Sequence, residues 1–106
     1  VGFAFQMTPR LQRFMPVFET ALTQAKGLRR AGSAALDLAH TAAGWFDGFF
    51  ELGLKPWDVS AGALLVQEAG GVLRDWDGSA DGWRRSGDLL AGPAPVVEDL
   101  AALARI

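Results

Sequence analysis

Apolar positions along the chain alternate between helical and strand-like rhythms. After a short apolar, strand-like start at residues 1–5, Leu11, Phe14, Met15, Phe18, Leu22 and Ala25 recur at helical spacing, with Arg13, Glu19 and Lys26 off that stripe. Thr8-Pro9 is a start signal for this helix and Gly27 stops it. "LRRAGS" reads as a short extended segment running into Gly32-Ser33, and "AALDLAHTAAG" as an Ala-rich helix ended by Gly44. "WFDGFFEL" is a strand with aromatic weight. Pro56 sits where a first helical turn tolerates proline, and that helix is predicted to run to about Ala69, before Gly70-Gly71. "GVLRDW" is a further strand, "DGSADGWRRSGD" a polar loop of turn signals, and "LLAGPAP" a last short strand. Val96, Val97, Leu100, Leu103 and Ala104 mark a closing amphipathic helix. Alternation of this kind, without repeats or low-complexity segments, predicts an α/β fold: a layered α/β/α domain with a mixed, largely parallel sheet.

Composition narrows the function classes. At 106 residues the chain is one domain at most. Half of it is hydrophobic and 21% charged, a normal globular balance. The net charge of −2 gives no electrostatic footprint for nucleic acid or for an anionic membrane. There is no cysteine, which excludes disulfides and thiolate metal sites and fits a reducing cytoplasm. No apolar run approaches the ~20 residues that span a bilayer. The first residues, Val-Gly-Phe-Ala-Phe, open in mid-strand without an initiator Met, so a piece of something longer is expected.

Candidate chemistry concentrates where strands hand over to helices, because helix N-termini present unpaired amides. At "RRAGSAA", Gly32 lets a backbone come close to a ligand while Ser33 and Ala34 begin a helix. At "KPWDVSAG", Asp58 lies in or just before a first helical turn, and Glu51 ends the strand leading to it. Each also has a plain structural reading. Ser33 is a favoured N-cap residue, Asp58 gains from the helix dipole, and a strand-end Glu is most often solvated. His40, in the middle of the Ala-rich helix, reads as a surface residue. The pairs Arg29-Arg30 and Arg84-Arg85 read as solvated charge, and the four tryptophans as packing. "DWDGSAD" lacks the ligand spacing and closing Glu of a calcium loop. No P-loop, dinucleotide fingerprint, zinc spacing or Ser-His-Asp set occurs.

Three stretches taken in order, "GSAALDLA", "DGFFE" and "GLKPWDVSAGALLVQEAGG", carry a resemblance. The chain resembles the C-terminal half of the inositol monophosphatase family, magnesium-dependent, lithium-sensitive phosphatases of small phosphorylated polyols and sugars. The likeness runs over essentially the whole chain, and the "PWD…AG…EAGG" block is its most specific part. It implies that Asp58 is a catalytic metal ligand that also meets the substrate. It further implies that Gly32, Ser33, Ala34 and Glu51 contact substrate hydroxyls or phosphate. Two or three Mg²⁺ ions and a homodimer are implied for the complete enzyme, while the charge balance indicates neither a nucleic acid nor a membrane partner.

The departures from that pattern are equally informative. The family's N-terminal Glu and "D-P-[IL]-D-G-T" motif, which supply the other metal ligands, do not occur in these 106 residues. Mg²⁺ takes about six oxygens, and a two-metal site needs ligands for both ions, so one Asp cannot hold the pair. The expectation is a C-terminal inositol monophosphatase-like domain over residues 1–106 that works with its own N-terminal half, whether truncated or on a second chain. Trp45 stands where a small or basic residue is common in the family, and no function follows from it. Two functions compete: the metal- and substrate-binding part of a phosphomonoesterase, inactive alone, and a non-catalytic interaction module or half of a split complex. Histidinol phosphate, fructose bisphosphate and phosphoadenosine phosphate are the alternative substrates within the superfamily.

Overall fold

A computed structural model describes residues 11–25, 27 and 33–104. In chain order the elements are α1 (Leu11–Gln24), α2 (Ala34–Ala42), β1 (Phe49–Glu51), α3 (Pro56–Glu68), β2 (Val72–Arg74), α4 (Trp83–Ser86), β3 (Leu89–Gly92) and α5 (Ala94–Ala104). The predicted opening strand, the Thr8-Pro9 start signal, "LRRAG" and Gly32 lie outside the described residues.

Strand alternation divides the core in two. Phe50 and Leu90 point to one face of the sheet, where they pack with Phe14, Val17 and Ala21 of α1 and Val97, Leu100 and Ala101 of α5. Phe49, Leu73, Leu89 and Ala91 point to the other, against Leu38 of α2 and Val59, Ala63 and Val66 of α3. A sheet covered by helices on both faces is the expected α/β/α layering. Strand β3 is buried along its whole length, which explains why it reads as the unbroken apolar run "LLAG" rather than an alternating one.

Strand direction corrects one expectation. The sheet order is β1-β3-β2, and β3 runs antiparallel to both neighbours, pairing Phe49 with Ala91 and Leu73 with Ala91 on its two edges. The expected largely parallel sheet is therefore antiparallel among the described residues. The βαβ logic still holds in part, because β1 and β2, joined through α3, point the same way. The chain leaves β2 through a turn-rich loop with no long helix, returns at the same end, and inserts β3 between the pair. Helix–strand alternation alone does not reveal such an insertion.

Several local details also differ. In α1 the buried stripe is Phe14, Val17 and Ala21, whereas Met15 and Leu22 are exposed. The strand expected over "WFDGFFEL" begins only at Phe49. The N–H groups of Trp45 and Phe46 both turn back to the carbonyl of His40, and the Trp45 ring stacks on His40 with centroids 5.0 Å apart. The polar loop contains the short helix α4, whose Trp83 is buried. Two of the four tryptophans, Trp76 and Trp83, pack in the core, but Trp45 and Trp57 are more than 70% exposed.

Candidate functional site

Ser33 has extended backbone, and its Oγ accepts the Leu36 N–H at 3.3 Å, so it caps α2 as its residue type suggests. Ala34 opens the helix behind it. At the other handover, Lys55 is extended, Pro56 occupies the first helical position and Asp58 the third. The Asp58 carboxylate reaches back, its Oδ2 accepting the Lys55 N–H at 3.0 Å, while the Asp58 N–H donates to the Lys55 carbonyl at 2.8 Å. That is the reciprocal half of a capping box, and it fixes the carboxylate against the positive end of α3. Among the described residues Oδ1 takes no hydrogen bond. Asp58 is half-buried, between solvent and the helix start.

Two observations place these ends together. First, α2 and α3 run side by side in the same direction. They touch at mid-length, where a Cβ on Gly62 would lie 2.6 Å from that of Leu38, and their last turns share a cavity lined by Thr41, Ala42, Val66 and Ala69. Their N-termini, with Ser33, Ala34 and Asp58, therefore lie at one end of the pair. Second, Glu51 ends β1 opposite Leu89, so its side chain leaves the sheet on the face covered by α2 and α3. The carboxyl end of β1 and two helix N-termini thus converge, the usual position of a ligand crevice in an α/β sheet. Gly32 lies outside the described residues. His40 sits in the last turn of α2, at the opposite end, with its ring against Trp45 and Phe46.

The turn at residues 52–55, between Glu51 and α3, is held from outside. Its Gly53 N–H donates to Asp88 Oδ1 at 2.9 Å and its Leu54 N–H to the Gly87 carbonyl at 2.8 Å. Asp88 is buried, as is Asp75, which accepts from the Ser86 hydroxyl. Ser86 Oγ in turn accepts the Asp88 N–H at 3.0 Å. Arg13, from α1, lies 3.1 Å from Asp88 Oδ2 and 5.4 Å above the Trp76 ring. Reading "DGSADGWRRSGD" as a polar loop missed Asp88, and reading "GVLRDW" as a strand missed Asp75, which follows the end of β2 at Arg74. The available signal was an acid placed directly before a strand buried throughout, in "SGDLLAG". Asp77, in the same loop, is fully exposed. Its carboxyl is held below the ordinary range by the Ser79 N–H, then by the Ser79 hydroxyl.

Among the described residues no group of three or more His, Asp or Glu side chains is placed to hold a metal ion. Asp58 nevertheless suits a hard cation, because one oxygen is tied to the backbone and the other takes no hydrogen bond among those residues. The fit is to one position in a coordination sphere. Among the described residues no helix is long and apolar enough to cross a membrane.

The model of the inositol monophosphatase family matches residues 2–105. The chain is 44% identical over 99 residues to a putative Nus factor SuhB of Neisseria meningitidis, covering 93% of this chain and 38% of that protein. It is 43% identical over 101 residues to the Nus factor SuhB of Escherichia coli, covering 95% and 38%. Among solved structures, the extragenic suppressor protein suhB of Bartonella henselae superimposes with a TM-score of 0.91 at 35% identity, over 98% of this chain and 40% of that one. An inositol monophosphatase from Anabaena gives 0.79 at 35% identity, over 98% and 41%. The chain thus spans about 38% of the length of the curated relatives it matches.

Proposed function

Because the chain belongs to the inositol monophosphatase family, we propose that it forms the metal- and substrate-facing C-terminal domain of a magnesium-dependent phosphomonoesterase. The substrate class is a small polyol or sugar phosphate such as inositol 1-phosphate. One observation carries the reading: Ser33, Ala34, Glu51 and Asp58 converge at the end where α2 and α3 begin. The further metal ligands would come from an N-terminal half beyond these 106 residues. Lithium inhibition and a homodimer belong to the same proposal.

In this mechanism Asp58 would be a residue holding magnesium, and the Lys55 N–H bonded to Oδ2 keeps its carboxylate from rotating away. When bound, the metal would polarise the phosphoryl group and lower the pKa of the attacking water. Ser33 and Ala34 bring the first amides of α2 towards the anionic oxygens, which a helix N-terminus favours, and Gly32, outside the described residues, is proposed to contact the same substrate. Glu51 accepts a hydrogen bond from a substrate hydroxyl, which favours a polyol. Histidinol phosphate, fructose bisphosphate and phosphoadenosine phosphate are the competing substrates in the same site. A second reading, a non-catalytic interaction module, is favoured by the Nus factor name that close relatives carry and by the exposure of Trp45, Trp57 and Leu64.

Asp58→Asn tests the reading, assayed in a catalytically competent form of the protein. Asparagine keeps the shape and an acceptor for the Lys55 N–H, so the stability loss should stay within about 1 kcal/mol. It removes the charge a hard cation requires. Turnover should fall at least ~10²-fold, the scale of losing one electrostatic stabiliser of the transition state. Thermal melts and magnesium-dependent kinetics on the same variant check both halves. Turnover within a few-fold of the parent at saturating magnesium would reduce Asp58 to a helix cap.

A further inference from the structure

The turn at residues 52–55 decides where α3 starts, and therefore where the Lys55 N–H meets Asp58. Its two amides at Gly53 and Leu54 are received by Asp88 and Gly87, residues 35 and more than 30 positions away in the chain. Asp88 is 5% exposed, and a buried carboxylate is costly unless its charge and lone pairs are met. Here they are. Arg13 takes one oxygen, Gly53 the other, and Ser86 receives the Asp88 N–H while its own hydroxyl is directed to Asp75. Next to it, Gly87 is left-handed with φ 75°, and a Cβ there would lie 2.1 Å from the Leu54 carbonyl oxygen and 2.7 Å from its nitrogen. No side chain can occupy that contact, because the atoms it would meet are backbone.

We propose that Asp88, with Gly87, is a positioning residue for Asp58. The pair clamps Gly53 and Leu54, and so sets the Lys55 N–H that orients the Asp58 carboxylate. The clamp couples three parts of the fold, since Arg13 of α1 and the 75–88 loop both act on the turn that leads into α3. A charge with two rigid partners is suited to this task, because neither Gly53 nor Leu54 has a side chain that could pin the turn by polar contacts. The proposal rests on the reading of Asp58 as a metal ligand for its functional meaning, but its geometry can be tested without any metal.

The test uses nuclear magnetic resonance on the whole 106-residue chain with the variants Asp88→Ala, Asp88→Asn and Gly87→Ala. In Asp88→Ala and Gly87→Ala, amide exchange at Gly53 and Leu54 should quicken at least about tenfold. The Lys55 amide should follow and the Asp58 carboxyl carbon shift should move, with α2 and α5 amides unchanged. Asp88→Asn keeps an acceptor for Gly53 and should restore protection at Gly53 and Lys55, which a purely electrostatic role would not allow. If Asp88→Ala fails to fold, Gly87→Ala carries the test without removing a charge. Faster exchange at Gly53 with Lys55 and Asp58 unmoved would overturn the positioning role. That result is distinct from failure of the phosphatase reading, which would show as normal turnover in Asp58→Asn with these amide signals unaffected.

Discussion

Glu51 is the residue whose two readings differ most in consequence. As a solvated strand end it contributes little, and its replacement changes nothing measurable. Its pairing with Leu89 puts it on the sheet face covered by α2 and α3, where the proposed substrate contact would be made. In a catalytically competent form, Glu51→Gln is expected to weaken turnover of hydroxyl-rich substrates while leaving the magnesium requirement in place. Losing one charge-assisted hydrogen bond costs ~1.5–3 kcal/mol, roughly ten- to over a hundred-fold in kcat/KM. Steady-state kinetics on inositol 1-phosphate across a magnesium titration read both quantities, and unchanged kcat/KM would return Glu51 to the solvent. At this scale the sequence was informative where the partner is local. Ser33 and Asp58 act on amides three residues away, and their types at helix starts announce it. Asp88 was harder to read, because its partners lie 35 and 75 positions away, and its place before the apolar run of β3 is a weaker signal than a local partner.

Between elements, the α2–α3 contact decides whether the two helix starts stay together. Gly62 lies inside α3, where alanine would gain about 1 kcal/mol of helix propensity. The added Cβ would meet Leu38 Cβ at 2.6 Å and Cδ1 at 2.8 Å. Leu38 is fully buried and its Cβ cannot rotate away, so the helices themselves must separate. Overpacking of this kind costs ~1–3 kcal/mol, which outweighs the propensity gain. Gly62→Ala is therefore expected to lower the melting temperature by several degrees, about 4–8 °C per kcal/mol for a domain of this size. A melting temperature equal to or above the parent's would show slack at this crossing. Helix positions were well announced by Pro56, Gly44 and the Gly70-Gly71 pair. Sheet order was not, because insertion of β3 between β1 and β2 depends on where the 75–88 loop returns, and each strand pairs over only a few residues.

At the scale of the whole molecule, folding and catalysis make different demands on these 106 residues. Both faces of the sheet carry closed apolar clusters, with Phe50, Leu90 and Val97 on one side and Leu38, Phe49 and Val66 on the other. A core of that kind is expected to let the chain fold. Hydrolysis needs more. A pair of magnesium ions requires about six oxygens each, part of them from protein carboxylates, and the described residues contain no group of three acids or histidines so placed. The chain also spans only about 38% of the length of its relatives. The purified 106-residue chain is therefore expected to fold yet release no phosphate from inositol 1-phosphate at any magnesium concentration. Circular dichroism melts establish the first half, and a phosphate-release assay the second. Asp58→Asn sharpens the assay: release equal in parent and variant does not depend on Asp58, and whether it stays with the chain through a second purification step separates a contaminating phosphatase from a site built on other ligands. Release by the parent chain that disappears in Asp58→Asn would mean that these residues bind the ions unaided. The proposed division of ligands between two halves of a phosphatase would then be wrong, even though Asp58 had been assigned correctly.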